Sequence, residues 1–247
     1  MKSDGERARE PDKGNDSEEG LHFRKKAGSL GDSLFDTGCG PDLDADKANQ
    51  WFPTRDGISF FRKKTPCRQI FYVPEYRFDD IRKDDIVVDI GANAGAFCIR
   101  ASRFSDHVIA VEPLIPDILM RNIVLNRSPV VVFNLALGDG SVKEVAWDGL
   151  KKPMRTATLK SVIDRAGGCD FLKCDCEGAE WFIRPEDLDG IRRIEMELHI
   201  PPICGPPNPA LLDYMSRRYE FQLDHVPAHG PMGLMGYLHA ERVGNRT

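Results

Sequence analysis

No apolar run in this chain approaches the roughly 20 residues that cross a bilayer, and the charged N-terminus offers no apolar stretch to act as a secretion signal. No helical membrane span is expected, and a cytoplasmic protein is. Paired C-x-x-C spacings are missing as well. The seven cysteines are an odd number, and Cys174 and Cys176 lie two apart, where strand side chains share one face. Zinc is therefore not expected, and the thiols read as reduced, small apolar residues. A basic surplus is absent too. Residues 1–50 carry 8 Lys/Arg and 12 Asp/Glu, a net of −4, which leaves −1 of the whole-chain −5 for the remainder. That near-neutral balance weighs against nucleic acid as a partner, because a duplex binder usually meets phosphates with excess positive charge.

What is present sorts into three stretches. Residues 1–50 are rich in Asp, Glu, Lys, Gly and Ser with almost no apolar periodicity, and are expected to form a disordered, charged tail. Arg24, Lys25 and Lys26 within it read as a solvated charge run. Residues 51–84 are aromatic. Trp51, Phe52, Phe60, Phe61, Phe71, Tyr72, Tyr76 and Phe78 stand among turn signals at Asp56-Gly57 and Pro66, which predicts one or two short strands or a hairpin packed as a cap. Lining a substrate pocket is the alternative use of these rings; packing is favoured because so many large side chains are hard to leave exposed.

Residues 85–243 alternate strand and helix patterns. Strands are expected at 86–90, 108–111, 130–135, 142–147, 171–174, 193–198, 220–224 and 235–240. Helices are expected at 94–104, 118–125 with Asn126 as its stop, 158–165 with Thr158 as its cap and Gly167-Gly168 as its end, 178–183, and 210–218. Five prolines between 201 and 209 rule out regular structure there. Such alternation implies an α/β fold with a doubly wound, mostly parallel sheet.

The sharpest stretch is VVDIGANAG, 87–95: a strand apolar on both faces that runs into a glycine-rich turn opening a helix. Ligands of such sheets bind beyond the carboxyl ends of the strands. The next strand ends in Glu112-Pro113, with Glu112 21 residues beyond Gly91, a separation that suits a carboxylate taking two ribose hydroxyls. A dinucleotide site would want G-x-G-x-x-G. Here Ala92 and Asn93 lie between Gly91 and Gly95, and Asp89 stands just before them. A carboxylate there would repel a pyrophosphate and welcome the ammonium or sulfonium of S-adenosylmethionine, so the turn favours that cofactor over NAD.

A second constellation lies in FLKCDCEGAE and IEMELH. Lys173 and Asp175 share a strand face, as do Glu195, Glu197 and His199. Charges in central strands are expensive unless paired, so Lys173 is expected to neutralise Glu195 or Glu197. Asp175, Glu177 and His199 are then the groups free to meet a substrate, with either Asp175 or His199 as the base in an in-line methyl transfer. The bland alternatives are a helix cap for Asp175 or Glu177 and a backbone contact for His199. A divalent ion bridging Asp175, Glu177 and a substrate diol is a variant that hard oxygen ligands would suit, Mg²⁺ being the example. The glycine-rich loop at 226–236 is a candidate lid, with His229 as a second possible base.

The order VVDIGANAG, AVEP, NLALGD, FLKCDCEGAE, EMELH resembles the FkbM family of S-adenosylmethionine-dependent methyltransferases over about 85–199. The resemblance implies a class I methyltransferase (Rossmann-like) sheet of seven strands, the last antiparallel, and mostly O-methylation of hydroxyls on sugars or natural products. By position it implies that Asp89, Gly91, Asn93 and Gly95 wrap the methionine end, that Glu112 takes the ribose, and that Ala136 and Leu137 lie near the adenine. The expected partner is a hydroxylated small molecule. An RNA methyltransferase, a non-catalytic S-adenosylmethionine-binding scaffold and an NAD oxidoreductase are the competing classes.

Overall fold

A computed structural model describes residues 51–61, 76–199, 206–224 and 234–244, with Leu234 and Met235 by backbone alone. The expectations for the 1–50 tail, for Phe71 and Tyr72, for the proline loop at 200–205 and for His229 and most of the candidate lid lie outside these residues. In chain order a hairpin, β1 (Trp51–Pro53) and β2 (Ser59–Phe61), precedes β3 (Ile86–Ile90), α1 (Ala96–Ala101), β4 (His107–Val111), α2 (Pro116–Asn126) and β5 (Val130–Phe133). Next come β6 (Ala136–Leu137), β7 (Val142–Trp147), β8 (Leu150–Ala157), α3 (Leu159–Ala166) and β9 (Phe171–Cys174). Two 3₁₀ turns, Ala179–Phe182 and Pro185–Leu188, lead to β10 (Arg193–His199), α4 (Pro209–Arg218), β11 (Tyr219–Asp224) and β12 (Leu234–Arg242).

Seven strands form the central sheet in the order β11-β12-β10-β9-β3-β4-β5. All run parallel except β12, which is antiparallel to both β10 and β11. From β3 the chain winds outward through β4 and β5, then returns to β9 on the other side, so the switch point lies between β3 and β9. This is the class I methyltransferase (Rossmann-like) arrangement expected from the sequence. Among the described residues no helix is long and apolar enough to cross a membrane.

Both faces of the sheet are covered, and the strand sequences show why. Along β3 and β9, consecutive residues turn to opposite faces. Val88 and Leu172 join a cluster with Leu159 and Val162 of α3 and Leu211 and Met215 of α4. Val87 and Phe171 join Phe97 of α1, Leu119 of α2 and Ile58 and Phe60 of the hairpin. A hairpin with three residues per strand is not stable alone. Docking holds it: Ile58 and Phe60 are fully buried, and two asparagines of α2 complete its hydrogen bonds. Asn122 Oδ1 accepts from Phe61 N (2.8 Å), while Asn126 Oδ1 accepts from Ser59 N (2.8 Å) and its Nδ2 donates to Ser59 O (2.7 Å).

Three local expectations change. Helix α2 ends one residue later than expected, on left-handed Arg127 (φ 52°), because the Asn126 amide is occupied by the edge of β2. The segment expected as a helix at 178–183 tightens to a four-residue 3₁₀ turn. Strand β8 was not foreseen; it pairs with β7 through Asp148 (φ 47°) and Gly149 (φ 78°), an Asp-Gly hairpin turn of the type that requires positive φ at both central residues.

Asn122 is fully buried and also donates Nδ2 to Ala94 O (2.8 Å). Asn122→Ala therefore leaves a buried acceptor unpaired and releases a strand amide. We expect a loss of about 1–3 kcal/mol in urea unfolding; a loss under about 0.5 kcal/mol would show that the asparagine tie is not what secures the hairpin.

Candidate functional site

The site begins where β3 and β9, neighbouring parallel strands, send their following loops across one another. Gly91 has φ 77°, and a Cβ placed there would lie 1.6 Å from Asp175 O, so only glycine permits the crossing. Gly95 caps α1 at φ 94°, where a Cβ would meet Leu119 Cδ1 at 2.8 Å; its role is to let α1 pack against α2. Asn93 makes the intervening turn with φ 52°.

Beneath this crossing lies a sealed ion pair. Asp89 and Lys173 are Cα partners across β3 and β9, and Lys173 Nζ stands 3.1 Å from Asp89 Oδ1 and 3.8 Å from Asp175 Oδ2. Lys173 also donates to Gly91 O (2.9 Å), and Asp89 Oδ2 accepts from Cys98 N (3.2 Å). Burial alone would pull the lysine pKa down, but Asp89 and Asp175 more than offset it, so the ammonium stays charged. Burial in turn pushes the Asp89 carboxyl up, against the pull of Lys173. The expected pairing of Lys173 with Glu195 or Glu197 is corrected. Register does place Lys173 beside Glu195, but Glu195 is satisfied by Arg193 (2.8 Å) and by His239 Nδ1.

Above the crossing a cavity of about 740 Å³ opens at the carboxyl ends of β3, β4 and β9. Of the residues expected at a cofactor, Gly91, Asn93, Glu112, Pro113, Ala136 and Leu137 line it. Asp89, Ala92 and Gly95 do not: Asp89 is fully buried against Lys173, Ala92 is tied by its N–H to Val111 O, and Gly95 faces α2. Glu112 is held by three main-chain amides, Asn93 N on Oε2 (2.8 Å) and Leu114 N (2.7 Å) and Ile115 N (3.0 Å) on Oε1. A carboxylate has about four lone-pair sites, so in this arrangement it has room for about one further hydroxyl and not the two expected. The opposite wall is the β7–β8 hairpin, which supplies Lys143 through Lys151, together with Thr156 and Phe182. None of these was singled out from the sequence, although the Asp148-Gly149 turn signal was there to be read.

At the cavity's edge the structure gathers the three expected catalytic groups. Asp175 and Glu177 line it, and His199 stands behind, its Nε2 3.5 Å from Glu177 Oε2 and 3.9 Å from Glu197 Oε1. Glu177 sits at φ 56°, unusual for a residue with a side chain, and burial followed by the charge of Asp175 raises its pKa. Two further members were missed. Glu180 is fully buried; its Oε1 accepts from His199 N (2.7 Å) and lies 2.9 Å from His199 Nδ1, while its Oε2 accepts from Gly178 N (2.9 Å). The signal was an acid inside the otherwise apolar GAEWFI. Tyr76, read as packing, places its hydroxyl 3.0 Å from Asp175 Oδ2 and 3.2 Å from Glu197 Oε2. Burial alone would lower the His199 pKa, but the Glu180 contact and the charges of Glu197 and Asp175 outweigh it and raise it to about 9. The neighbouring Cys174 and Cys176 are free thiols with sulfurs 3.5 Å apart.

No family model matches the chain, and no curated protein does. Among solved structures, an rRNA methylase from Streptococcus thermophilus is 10% identical with a TM-score of 0.45, covering 66% of this chain and 90% of its own. TYW2 of M. jannaschii, solved with AdoMet, is 15% identical with a TM-score of 0.46, covering 75% and 82% respectively. A precorrin-6y C5,15-methyltransferase from Geobacter metallireducens is 14% identical with a TM-score of 0.42, covering 66% and 82%. At such distance these are likenesses of chain path, and the functional reading rests on the site itself.

Removing the lysine from a sealed pair strands its partner. Lys173→Met should lower stability by about 3–5 kcal/mol in urea unfolding, and adding Asp89→Asn to it should restore most of that loss. A double variant no more stable than Lys173→Met would mean that the lysine acts through something other than Asp89.

Proposed function

We propose that this chain is an S-adenosylmethionine-dependent methyltransferase of FkbM type that methylates a hydroxyl on a sugar-like or natural-product-like small molecule. The observation that carries the reading is Glu112, fixed by three amides beside the Gly91 turn on the wall of a cavity at the carboxyl end of β4. The residues present suit the cofactor. The cavity volume lies in the range of small-molecule sites, Ala136 and Leu137 give an apolar wall for an adenine, and Asp175 favours a cationic group over a pyrophosphate. When bound, the cofactor supplies an electrophilic methyl group on a sulfonium.

The chain's own residues then divide the work. Gly91 lets the backbone approach, and Glu112 with Asn93 holds the ribose. Asp175 borders the cavity and shares the Tyr76 proton with Glu197, so it is placed to take the proton of an acceptor hydroxyl. His199 orients Glu177, and the β7–β8 hairpin walls the cavity on the side opposite the Gly91 turn. The near-neutral charge of residues 51–247 supports a small acceptor over RNA.

The test has two stages. S-adenosylhomocysteine should bind in calorimetry while NAD does not, and Glu112→Ala should weaken it about 10–100-fold, the worth of a hydrogen bond to a charged group. Labelled methyl transfer to a panel of hydroxylated small molecules should follow. Nicotinamide binding in place of S-adenosylhomocysteine would sink the assignment. Transfer to RNA alone would replace the acceptor class, and binding without turnover on any acceptor would leave a scaffold.

A further inference from the structure

Cys174 closes β9, Asp175 follows it, and Cys176 comes next, with the two sulfurs 3.5 Å apart. Both are free thiols. Cys174 is fully buried in the core, whereas Cys176 is partly exposed and lines the cavity. One thiol can thus be reached by a small solute, and the other stands in contact behind it. Closing that gap to a disulfide bond of about 2.0 Å is a short movement. The other two described cysteines are placed differently: Cys98 directs its sulfur to Gly95 O (3.6 Å) and Cys169 to Phe171 O (3.5 Å).

Glu180 is a separate observation. Its Oε2 lies 3.5 Å from Cys176 Sγ, so the reachable thiol has a buried carboxylate to receive its proton. Burial, followed by the Cys174 contact, pushes the Cys176 thiol up. Attack by its sulfur is therefore slow beside that of an activated cysteine and waits on transfer of the proton to Glu180. The second step is different in kind, because Cys174 is already in place beside the sulfur it would meet.

We propose that Cys174 and Cys176 form a redox modification site, at which hydrogen peroxide entering the cavity converts the two thiols to a disulfide. The Cys176 sulfur attacks one peroxide oxygen: the S–O bond forms, the O–O bond breaks, and the proton held by Glu180 goes to the departing hydroxide to make water. The Cys174 sulfur then attacks the sulfenic sulfur: the S–S bond forms, the S–O bond breaks, and the Cys174 proton leaves with the hydroxide as a second water. The thiols lose two electrons and the peroxide gains them. Closure draws together the chain on either side of Asp175, whose carbonyl oxygen packs on Gly91 and whose carboxylate borders the cavity, and it removes the Cys176 contact from Glu180. Oxidation therefore disturbs the turn and the carboxylate edge together. Its effect on cofactor binding rests on the methyl-transfer reading; the disulfide itself does not.

The full chain is treated with hydrogen peroxide, the excess is removed with catalase, and free thiols are capped with N-ethylmaleimide in denaturant before digestion with trypsin. Trypsin does not cut between Arg184 and Pro185, so the peptide 174–192 holds both cysteines and no others. It should carry two caps from the untreated chain. After peroxide it should carry none and be lighter by two hydrogens, and dithiothreitol should restore both caps. With folding checked by circular dichroism, Cys176→Ser should keep Cys174 capped through the same treatment, and Cys174→Ser should let dimedone trap the Cys176 sulfenic acid. Two caps retained on 174–192 at millimolar peroxide, or loss of the Cys174 cap in folded Cys176→Ser, overturns the proposal. S-adenosylhomocysteine binding, measured on the same proteins, should weaken on oxidation and recover with dithiothreitol. A disulfide with unchanged affinity overturns the effect on the site. A disulfide in a chain that takes no S-adenosylhomocysteine in either state supports the modification and overturns the cofactor reading.

Discussion

A lysine and an aspartate sealed side by side in the middle of the sheet set the geometry of everything at its carboxyl edge. Taking two charges out of water carries a penalty of several kcal/mol per ion, and a well-packed apolar pair in their place is often as stable or more so. Stability is therefore a poor reason for Asp89 and Lys173 to be there. What an apolar pair would not supply is direction. Lys173 Nζ donates to Gly91 O and stands 3.8 Å from Asp175 Oδ2, so one ammonium links the loop after β3 to the loop after β9 at the point where Gly91 lets them cross. Lost alignment there would move the turn and the carboxylate edge together.

The same pair divides the ionisable groups into two populations. Inside the sheet each charge is spent: Asp89 on Lys173, and Glu195 on Arg193 and His239. At the edge, Asp175, Glu177, Glu197, His199 and Tyr76 face one another, and Asp175 and Glu177 line the cavity. Position along the strands decides membership: Lys173 and Asp175, like Glu195 and Glu197, are two residues apart and fall on opposite sides of that line, because β9 ends at Cys174 and its pairing with β10 stops at Met196.

Most of the fold was legible because it follows from periods of apolar residues. Strands 86–90, 142–147 and 171–174 have the boundaries expected, and Thr158 and Gly167 bracket α3 as their cap preferences dictate. The site was legible at the level of which strand ends meet, since a parallel sheet puts them on one side. Partner choice was not. Lys173 has acidic neighbours on both flanking strands, and only the satisfaction of Glu195 by Arg193 and by His239, 44 residues downstream, sends it to Asp89. Tyr76 reaching Asp175 across 99 residues of sequence is a tertiary fact of the same kind. Glu112 shows a finer gap: it lines the cavity, but the amides that consume most of its acceptor capacity belong to a turn whose conformation the sequence does not spell out.

The two halves of the cavity are built from different materials, and this bears on how the proposed activity is divided. The half around Gly91, Asn93 and Glu112 is made of turn backbone and amides locked onto a single carboxylate, so its shape depends on φ values and main-chain hydrogen bonds. The facing half is made of side chains, with Lys143, Trp147, Phe182, Asp175 and Glu177 exposed to the cavity from a hairpin, a 3₁₀ turn and a strand end. Backbone-built surfaces tolerate few substitutions and suit a ligand that does not vary; side-chain-built surfaces are reshaped one residue at a time. In the proposed activity the constant cofactor would lie on the first and the acceptor on the second. Glu180 is what stiffens that second half, because a single buried carboxylate holds His199 through both ring and main chain and receives the Gly178 amide as well. Under that proposal acceptor specificity would drift in the hairpin while the charged edge, tied to the core through Glu180 and Lys173, stays in place.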